Sequence, residues 1–534
     1  MTPSTTFAEC LRQHAQERAE AVAVIENQDA ITWHALHARV QALAAGLHRI
    51  GVMPGDRVAL WLPNGIAWVT SFLACAHLGT TVIAVNTRFR ATELGDLLER
   101  GRASWLIVWP DFKGIAFGDI LSDVPEHALR TLKGCVLLGG QARLAAPSLS
   151  ALPCHAFDVL ASEPATPPHP APNSGVLCFT TSGTTSKPKL VLHDQATLIR
   201  HGVHVARAFA YDDHACVLAS APFCGAFGFA TFVSAFATGA PVVCDPVFDA
   251  QRSVDAVRTH KVTHTYANNE ALVNMLSVAQ AGELQSAQLF GFASFAPTDA
   301  LTPLAEQHGV PLTGLYGSSE LIALVAGQPT REEDGDLSVR LRPGGKLAYA
   351  EARVRARDPA SGSILAHGGV GEIEILTPSL MQGYLDDPAA TAKAVTEDGY
   401  FKTGDLGYCL SDHQFVFETR MGDSLRLAGF LVNPAEIERV VQALPGVQAC
   451  QVVGVEHQGK AVPYAFVVLQ PGAQAAPDAW RNACRRNMAG FKVPVAFDVL
   501  DEFPTVVSAN SVKIVKSRLR EMADAALRSP AAQP

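Results

Sequence analysis

The sequence predicts an α/β protein with a large N-terminal domain of two β/α-layered subdomains and a small β unit, followed by a small α+β C-terminal domain. Three observations support this prediction. The chain has 534 residues, too many for one compact core. Its first third alternates helical and extended patterns. After Arg342 short segments alternate in residue type at the period of a strand.

The alternation starts near the N-terminus. Residues 32–50 (TWHALHARVQALAAGLHRI) place apolar side chains at helical spacing and stop before Gly51. The segment DRVALWLP, from Asp56, predicts a buried strand, residues 91–100 predict a helix, and SWLIVW predicts the next strand. Such alternation indicates a mostly parallel sheet covered by helices.

A Pro-rich stretch, residues 162–175 (SEPATPPHPAPNSG), predicts a surface linker. The strand pattern GVLCFT, residues 175–180, follows and leads directly into TTSGTTSKPK. From residue 243 to 324 the alternation resumes, with strand patterns APVVC and THTY around a helix at 251–260. The N-terminal domain therefore continues on both sides of the linker.

The last third predicts two smaller units. EARVRARD, GEIEIL and QFVFET are separated by Gly-rich turns, which favours a small, more antiparallel β unit. From Ser424 onward the chain predicts the helix PAEIERVVQAL, the strands QACQVVGVE and AVPYAFVVLQ, a helix at 478–487 and a final basic helix. This segment of about a hundred residues has the size of a domain.

Composition narrows the class of protein. The net charge of −9 and the pI near 6.1 argue against a general nucleic-acid binder, whose surface must neutralise phosphates. Eleven cysteines lack a CxxC pair or a zinc spacing, which predicts buried, reduced thiols and a cytoplasmic location. The N-terminus lacks the apolar run of a signal peptide. Residues 67–85 predict a buried helix and a strand rather than a membrane span, so we expect no stable membrane insertion.

The segment TTSGTTSKPK, residues 180–189, has the composition of an anion-binding loop. Backbone N–H groups, hydroxyls and a lysine ammonium can converge on one phosphate, although a solvated loop has the same composition. From Gly183 the sequence lacks both the second glycine before the lysine and the following Ser/Thr of a P-loop. The GxGxxG pattern is absent as well, so a different phosphate-binding loop is predicted.

Four further segments give this loop a context. They are YGSSE (316–320), YFKTGD (400–405), RMGDSLRLAGFLVNPAEIE (420–438) and ANSVKIVKSRLRE, which contains Lys513. Together with Phe179 and the loop, and in this order, they resemble the adenylate-forming superfamily of acyl-CoA synthetases, aryl-CoA ligases, luciferases and peptide-synthetase adenylation domains. The resemblance implies that a carboxylic acid and ATP give acyl-AMP and pyrophosphate, and that acyl-AMP and coenzyme A then give acyl-CoA and AMP.

The resemblance also implies residue roles at the phosphates. Glu320 would bind Mg²⁺, a hard cation that prefers oxygen ligands, and Ser319 would contact the α-phosphate. Lys513 would bind the attacking carboxylate and the α-phosphate together, which stabilises developing charge. The β- and γ-phosphates would contact Thr181, Ser182, Gly183, Thr184, Thr185 and Lys189.

The nucleoside would bind to residues from three other segments. Tyr316 would stack on adenine, Asp405 would accept both ribose hydroxyls, and Arg420 would reach the ribose or a phosphate. The segment GFASFAP supplies the expected adenine wall, namely Ser294, Phe295 and Ala296. Taken singly, Asp405 is more often a turn residue, Lys513 is more often a solvated charge at a helix start, and Glu320 is also compatible with a helix cap. Only their joint pattern favours the functional interpretation.

The thioester step implies a domain division. We expect an ATP- and acyl-binding domain at residues 1–420 and a mobile domain with the catalytic lysine at 421–534. The hinge would be Gly422, where glycine can absorb large φ/ψ changes. Coenzyme A would lie against Arg426, Gly429 and Phe430. Two serines, Ser186 and Ser511, stand where the family has glycine.

The acyl pocket is expected along PFCGAFGFATF, residues 222–232, with Gly225 where the family often has histidine. Its other expected lining residues are Phe227, Phe229, Thr231, Leu315, Gly317 and Leu324. They favour an aromatic, alicyclic or medium-chain acid as the small-molecule partner, although an ordinary core is equally apolar. The alternatives are an acyl-AMP ligase that loads a carrier protein and a non-catalytic relative, and a homodimer is left open.

Overall fold

The computed structural model describes residues 5–115, 117–140, 144, 149, 152–162, 166–181, 189–293, 300–328, 342–422, 425–427, 430–458, 460–507 and 512–528. Within these ranges Arg426, Phe430 and Lys513 are among the residues described by their backbone only. The predicted fold class, a mixed α/β chain with a large N-terminal and a small C-terminal domain, is confirmed.

The first part of the chain contains nine strands and seven helices in the described residues, and the elements predicted within 32–109 and 175–180 lie close to their predicted positions. The strands are β1 (Val22–Glu26), β2 (Asp29–Thr32), β3 (Arg57–Trp61), β4 (Thr81–Ala84), β5 (Trp105–Val108), β6 (Gly134–Leu137), β7 (Cys154–Ala156), β8 (Gly175–Thr180) and β9 (Leu190–Asp194). The helices are α1 (Phe7–Glu17), α2 (Trp33–Arg49), α3 (Ile66–Leu78), α4 (Ala91–Gly101), α5 (Phe117–Ser122), α6 (Glu126–Leu129) and α7 (Phe157–Ser162).

A second layer of parallel strands and helices follows. Its strands are β10 (Val217–Ala219), β11 (Val242–Cys244), β12 (His264–Asn268), β13 (Leu289–Ala293), β14 (Leu312–Tyr316) and β15 (Ala326–Gly327). Its helices are α8 (Gln195–Ala208), α9 (Ala226–Thr238), α10 (Ala250–His260), α11 (Asn269–Val278) and α12 (Leu301–His308).

The antiparallel unit predicted after Arg342 is present. Its strands are β16 (Gly344–Leu347), β17 (Arg353–Arg357), β18 (Val370–Leu376), β20 (Phe401–Ser411) and β21 (Gln414–Arg420). The same stretch of chain contains α13 (Pro388–Ala394) and β19 (Gly383–Tyr384), and β19 pairs with β9 instead. The C-terminal elements are β22 (Leu425–Leu427), β23 (Phe430–Val432), α14 (Pro434–Gln442), β24 (Val447–His457), β25 (Lys460–Leu469), α15 (Pro477–Asn487), β26 (Phe497–Val499), β27 (Thr505–Val507), β28 (Val512–Ile514) and α16 (Lys516–Arg528).

The N-terminal strands form an eight-stranded sheet in the order β19-β9-β8-β4-β3-β5-β6-β7. Both faces are buried, since Val58 and Leu60 of β3 pack in one core and Ala59 and Trp61 pack in another. The alternation did not predict β9, which pairs antiparallel with β8 and therefore returns the chain along the same edge after the phosphate loop.

The second sheet has thirteen strands in the order β17-β18-β20-β21-β16-β15-β14-β13-β12-β10-β11-β1-β2. From β14 to β1 its pairs are parallel, and from β14 to β17 they are antiparallel. After β21 the described strands pair only among themselves, in three small sheets. The predicted domain boundary at Arg420 coincides with the end of β21, although the division at this residue stays a prediction.

Two expectations from composition can be compared with the structure. All eleven cysteines are free, and ten of them are buried, as predicted. None of the helices in the described ranges combines the length and apolar character needed to cross a bilayer.

Candidate active site

Three of the predicted nucleotide-binding residues lie close together. Tyr316 is the last residue of β14, Asp405 lies within β20, and Arg420 is the last residue of β21. The Tyr316 hydroxyl donates a hydrogen bond to Asp405 Oδ2 at 2.5 Å. Arg420 Nε lies 2.9 Å from Asp405 Oδ1, and the two residues are paired in register across β20 and β21. Tyr316 and Asp405 are buried, whereas the Arg420 side chain is exposed. One carboxylate thus holds an aromatic ring and a guanidinium beside it.

The electrostatics of Asp405 suit an acceptor of hydroxyl groups. Burial raises the pKa of its carboxyl, and Arg420 and then Tyr316 oppose that effect. Burial, and next the charge of Asp405, hold the pKa of the Tyr316 hydroxyl well above its usual value. The tyrosine is therefore protonated and donates, and the carboxylate accepts. The same oxygens can accept the two hydroxyls of a ribose.

The loop that carries Ser319 and Glu320 has an unusual backbone. A short 3₁₀ helix, Ser319–Leu321, is followed by three residues in the left-handed region, Ile322, Ala323 and Leu324, with φ of 65°, 52° and 43°. Each costs roughly 1–2 kcal/mol. Nothing in the side-chain types Ile, Ala and Leu indicates this conformation, so the sequence reasoning missed it.

Local contacts fix this left-handed turn. Ala323 N donates to Ser318 O at 2.8 Å, and Val325 N donates to Tyr316 O at 3.0 Å. A Cβ on Gly317 would lie 2.4 Å from Ala323 Cα, too close for any side chain. Gly317 was predicted to line the acyl pocket, and the structure also gives it a role in closing this turn.

Two residues outside the quoted motifs hold the same loop. His193 of β9 contacts Ser319 O through Nε2 at 2.8 Å, and because a carbonyl only accepts, Nε2 carries the proton. Burial lowers the pKa of His193 to about 4, so the ring is neutral at pH 7. The Tyr384 hydroxyl donates to Glu320 Oε1 at 2.9 Å. The sequence reasoning missed both residues, because neither occurs in a pattern with its own chemistry.

The base of the phosphate loop is described at its two ends. Thr181 N donates to Lys189 O, and Lys189 N donates to Thr181 Oγ1, both at 2.9 Å. The Lys189 ammonium lies 4.3 Å from the centre of the Tyr384 ring. The loop is therefore closed at its base, and its lysine lies on the side of Glu320. The predicted residues Ser182, Gly183, Thr184 and Thr185 lie outside the described residues.

Other predicted site residues are described in part or not at all. Ser294, Phe295, Ala296 and Gly429, like Ser186 and Ser511, lie outside the described residues. The backbones of Arg426 and Phe430 are in β22 and β23, and that of Lys513 is in β28, opposite Val506. These roles stay predictions.

The predicted hinge, Gly422, lies just after β21. Its carbonyl accepts a hydrogen bond from the Arg520 guanidinium of α16. A Cβ at this position would contact nothing within 4 Å. Packing in this conformation does not require glycine here, and the hinge role stays a prediction.

Several of the predicted acyl-pocket residues lie in or against the same large hydrophobic core. Gly225 caps the N-terminus of α9, and Phe227 is half-buried beside the main core. Phe229 is fully buried, and its ring contacts Phe72, Phe179 and other aromatic rings. Thr231, Leu315 and Leu324 are buried as well. These residues are shared with the core, and their role in binding an acid stays a prediction.

The surroundings of Glu320 suit a magnesium ion that is also bound by substrate phosphates, rather than an ion bound by protein ligands alone. Among the described residues, no three His, Cys, Asp or Glu side chains come together as a metal site. Magnesium commonly binds through one or two carboxylates, with phosphate oxygens and waters completing the octahedron. One oxygen of Glu320 accepts the Tyr384 hydroxyl, and such a carboxylate has a second oxygen for the ion.

Comparisons with known proteins show the family of this chain. The family described as AMP-binding enzyme matches residues 11–385, and AMP-binding enzyme C-terminal domain matches residues 436–510. A CoA ligase of Rhodococcus jostii (strain RHA1), named for a methyl-dioxo-octahydro-indenyl propanoyl group, is 31% identical over 97% of this chain and 98% of its own. A feruloyl-CoA synthase of Amycolatopsis sp is 29% identical over 95% and 97%.

A solved structure shows the same fold. O-succinylbenzoate coenzyme A synthetase of Bacillus subtilis, in complex with ATP and a magnesium ion, has a TM-score of 0.78 at 23% identity and covers 96% of this chain and 98% of its own. The same enzyme with its acyl-adenylate OSB-AMP has a TM-score of 0.80 at 22% identity, over 97% and 99%. Two family models match the chain, and its relatives are covered almost completely. The chain therefore belongs to the AMP-binding, adenylate-forming enzymes, in the acyl-CoA synthetase branch of AMP-forming acid–CoA ligases.

Proposed function

We propose that this chain ligates an aromatic, alicyclic or medium-chain carboxylic acid to coenzyme A at the expense of ATP. A carboxylate oxygen attacks the α-phosphorus, and the bond to the oxygen bridging the β-phosphate breaks, so that pyrophosphate leaves. The thiolate of coenzyme A then attacks the acyl carbon, and AMP leaves. Both steps bring anions together, so fixed positive charge and donors lower the barrier.

One observation carries the nucleotide part of the proposal. Tyr316, which lies 89 residues before Asp405, and Arg420, on the neighbouring strand, both contact the Asp405 carboxylate directly. In the proposal Asp405 accepts the ribose hydroxyls, Tyr316 contacts adenine and Arg420 reaches the ribose or a phosphate. An aromatic ring, a buried carboxylate and a guanidinium match a base, a diol and an anion.

The other proposed site residues bind the phosphates or position the substrates. Thr181 and Lys189 close the loop that holds the β- and γ-phosphates, and Ser319 contacts the α-phosphate. Glu320 holds magnesium, which when bound neutralises phosphate charge. Lys513 orients the acid carboxylate towards the α-phosphate. The domain that begins at residue 421 then rotates at Gly422. This rotation brings Arg426, Gly429 and Phe430 to coenzyme A.

The substrates named for the relatives support a ring-containing acid. They include an octahydro-indenyl propanoyl group, a feruloyl group and o-succinylbenzoate. The half-buried Phe227 and the buried Leu315 and Leu324, which share one hydrophobic core, favour the same class. Ten buried free thiols support a reducing, cytoplasmic setting.

The direct test measures pyrophosphate release with ATP, magnesium and a panel of carboxylic acids, with and without coenzyme A. We expect release for ring-containing acids and a thioester product only when coenzyme A is present. Acyl-AMP that never becomes a thioester with coenzyme A would instead support a carrier-loading ligase. Bound ATP without release for any acid would support a non-catalytic relative.

Lys513→Ala tests the catalytic lysine. We expect it to reduce adenylation about 10²–10³-fold, since a charge aimed at the reacting phosphate is lost. Thioester formation from supplied acyl-AMP should be spared. Lys460→Ala, at an exposed lysine of β25 in the same domain, is the matched control and should leave both half-reactions unchanged. Equal loss of both half-reactions in Lys513→Ala would contradict the assignment.

A further inference from the structure

Tyr384 contacts two predicted site residues that come from different motifs. Its hydroxyl donates to Glu320 Oε1 at 2.9 Å, and the Lys189 ammonium lies over its ring at 4.3 Å. Burial, and next the charge of Glu320, hold the pKa of Tyr384 above its usual value, so the hydroxyl is a donor. The lysine of the phosphate loop and the carboxylate proposed for magnesium are thus joined by a single side chain.

The backbone around Tyr384 is fixed to the strand that leaves the phosphate loop. Gln382 N donates to Leu192 O at 2.9 Å, and Leu385 N donates to Leu190 O at 2.7 Å, which makes β19 the edge strand beside β9. Met381 N donates to Glu320 O at 2.8 Å. The segment therefore spans from β9 to the Glu320 loop by main-chain bonds alone.

The other end of the segment is anchored as well. Arg57 of β3 makes two hydrogen bonds to the Asp386 carboxylate, at 2.7 and 2.9 Å. Tyr384 N donates to Thr391 Oγ1 at 2.9 Å, at the start of α13. Bidentate arginine–carboxylate pairs are geometrically specific. The ring of Tyr384 consequently has little freedom to leave its two partners.

From these contacts we propose that Tyr384 is a positioning residue that sets the geometry between Lys189 and the magnesium carboxylate of Glu320. The hydroxyl engages Oε1 and so directs the other carboxylate oxygen to the ion. The ring face holds the ammonium of Lys189, which would otherwise sample many rotamers. This inference rests on the proposed function, because it takes the roles of Lys189 and Glu320 from it.

Two variants separate the hydroxyl from the ring. Tyr384→Phe keeps the ring for Lys189 and loses the bond to Glu320, so the magnesium concentration for half-maximal pyrophosphate release should rise roughly five- to tenfold. Calorimetric binding of magnesium-free ATP should stay as in the wild type. Tyr384→Leu also loses the ring, so magnesium-free ATP should bind roughly three- to tenfold more weakly.

A second buried tyrosine provides a control for the loss of a hydroxyl from the protein interior. Tyr349→Phe removes the hydroxyl of another buried tyrosine, for which the described residues give no hydrogen-bond partner, and should change neither quantity. An unchanged or lowered magnesium requirement in Tyr384→Phe would overturn the inference, because the hydroxyl would then not support the metal carboxylate.

Calorimetry with ATP, with and without magnesium, is independent of turnover. If the wild type binds ATP but releases no pyrophosphate with any acid, the proposed ligase function is wrong. The role of Tyr384 is still tested in that case, because Tyr384→Phe should weaken the binding of magnesium-ATP and leave the binding of magnesium-free ATP unchanged. If the wild type binds no ATP, both proposals are overturned. A merely structural role would weaken both affinities together.

Discussion

The pKa of the Asp405 carboxyl group is subject to competing effects. Burial raises its pKa, whereas the charge of Arg420 and the hydrogen bond from Tyr316 lower it. The balance is above the usual value for an aspartate. Since only the ionised form accepts two hydroxyls, ATP capture should weaken as pH falls through this raised pKa.

Tyr316→Phe tests this balance. It removes one of the two effects that favour the ionised form, so the pKa of Asp405 should rise further. We therefore expect kcat/KM for ATP, which reports the free enzyme, to begin its acidic decline at a higher pH than in the wild type. The measurement is the pH profile of pyrophosphate release at subsaturating ATP.

Two comparison variants accompany this profile. Arg420→Gln removes the stronger opposing effect and should shift the acidic limb in the same direction. Tyr349→Phe should leave the limb in place. A limb that moves to lower pH in Tyr316→Phe would show that a group other than Asp405 controls ATP capture.

At the residue scale the motifs specified side-chain types but not their contacts. The pair YG at 316–317 and the TGD at 403–405 gave Tyr316 and Asp405, and the fold brings them to 2.5 Å. Tyr384 and His193 could not be found in this way, because Tyr384 is positioned by the antiparallel pairing of β9 with β19 and His193 by its contact with the remote Ser319. That pairing joins residues nearly two hundred positions apart, which no local pattern encodes.

At the element scale, the position of α9 requires its residue Gly228 to lie close to the backbone of the segment just before the helix. A Cβ on Gly228 would lie 2.2 Å from Pro222 O and 2.5 Å from Ala221 O. Carbonyl oxygens of the backbone cannot move aside cheaply, so α9 must shift if this glycine gains a side chain. The shift would displace Phe227 and Thr231, which are expected to face the acid.

Gly228→Ala should therefore raise KM for the acid and leave KM for ATP near the wild-type value. The expected loss of stability is about 1–3 kcal/mol, as for other overpacked sites. Steady-state kinetics with each substrate varied in turn measures the split, and urea unfolding measures the stability.

The matched control is another glycine inside a helix. In Gly95→Ala of α4, the nearest atoms to the new Cβ are side-chain carbons of Val124 and Pro125 at 3.3 and 3.4 Å. We expect unchanged kinetics, since α4 lies away from the proposed acid site. Equal increases of both KM values in Gly228→Ala would mean that α9 supports the whole site rather than the acid pocket.

At the scale of the whole molecule, buried histidines make the N-terminal domain sensitive to acid. Burial lowers the pKa of His201 to about 3 and that of His193 to about 4. Unfolded chains bind these protons near pH 6.5. Between pH 6.5 and the folded values the unfolded state holds more protons, so the free energy of unfolding falls as pH falls.

His201→Leu should remove one part of this dependence. For one such histidine the loss from pH 7 to pH 5 is about 2 kcal/mol, and the variant should lose correspondingly less over that range. Urea unfolding of the full chain at several pH values gives the slope. His169→Gln, at an exposed histidine in the linker, is the control and should keep the wild-type slope. An unchanged slope in His201→Leu would contradict the prediction.

The sequence by itself determined several of the helices and strands and the motifs among which the chemistry is divided. Periodicity fixed α2, β3, α4 and β8 within a few residues, because local burial patterns depend on nearest neighbours. The ordered motifs were sufficient to predict adenylation, because together they resemble the adenylate-forming superfamily.

Tertiary structure alone decided how these parts meet. The left-handed turn after Ser319, the return of β9 along β8 and the link from Lys189 through Tyr384 to Glu320 all depend on contacts across sheets. Strain at Ile322 and Ala323 is tolerated only because Gly317 and the main-chain bonds to Tyr316 and Ser318 over-determine the turn. Distances between residues remote in sequence arise from packing, which local propensity does not contain.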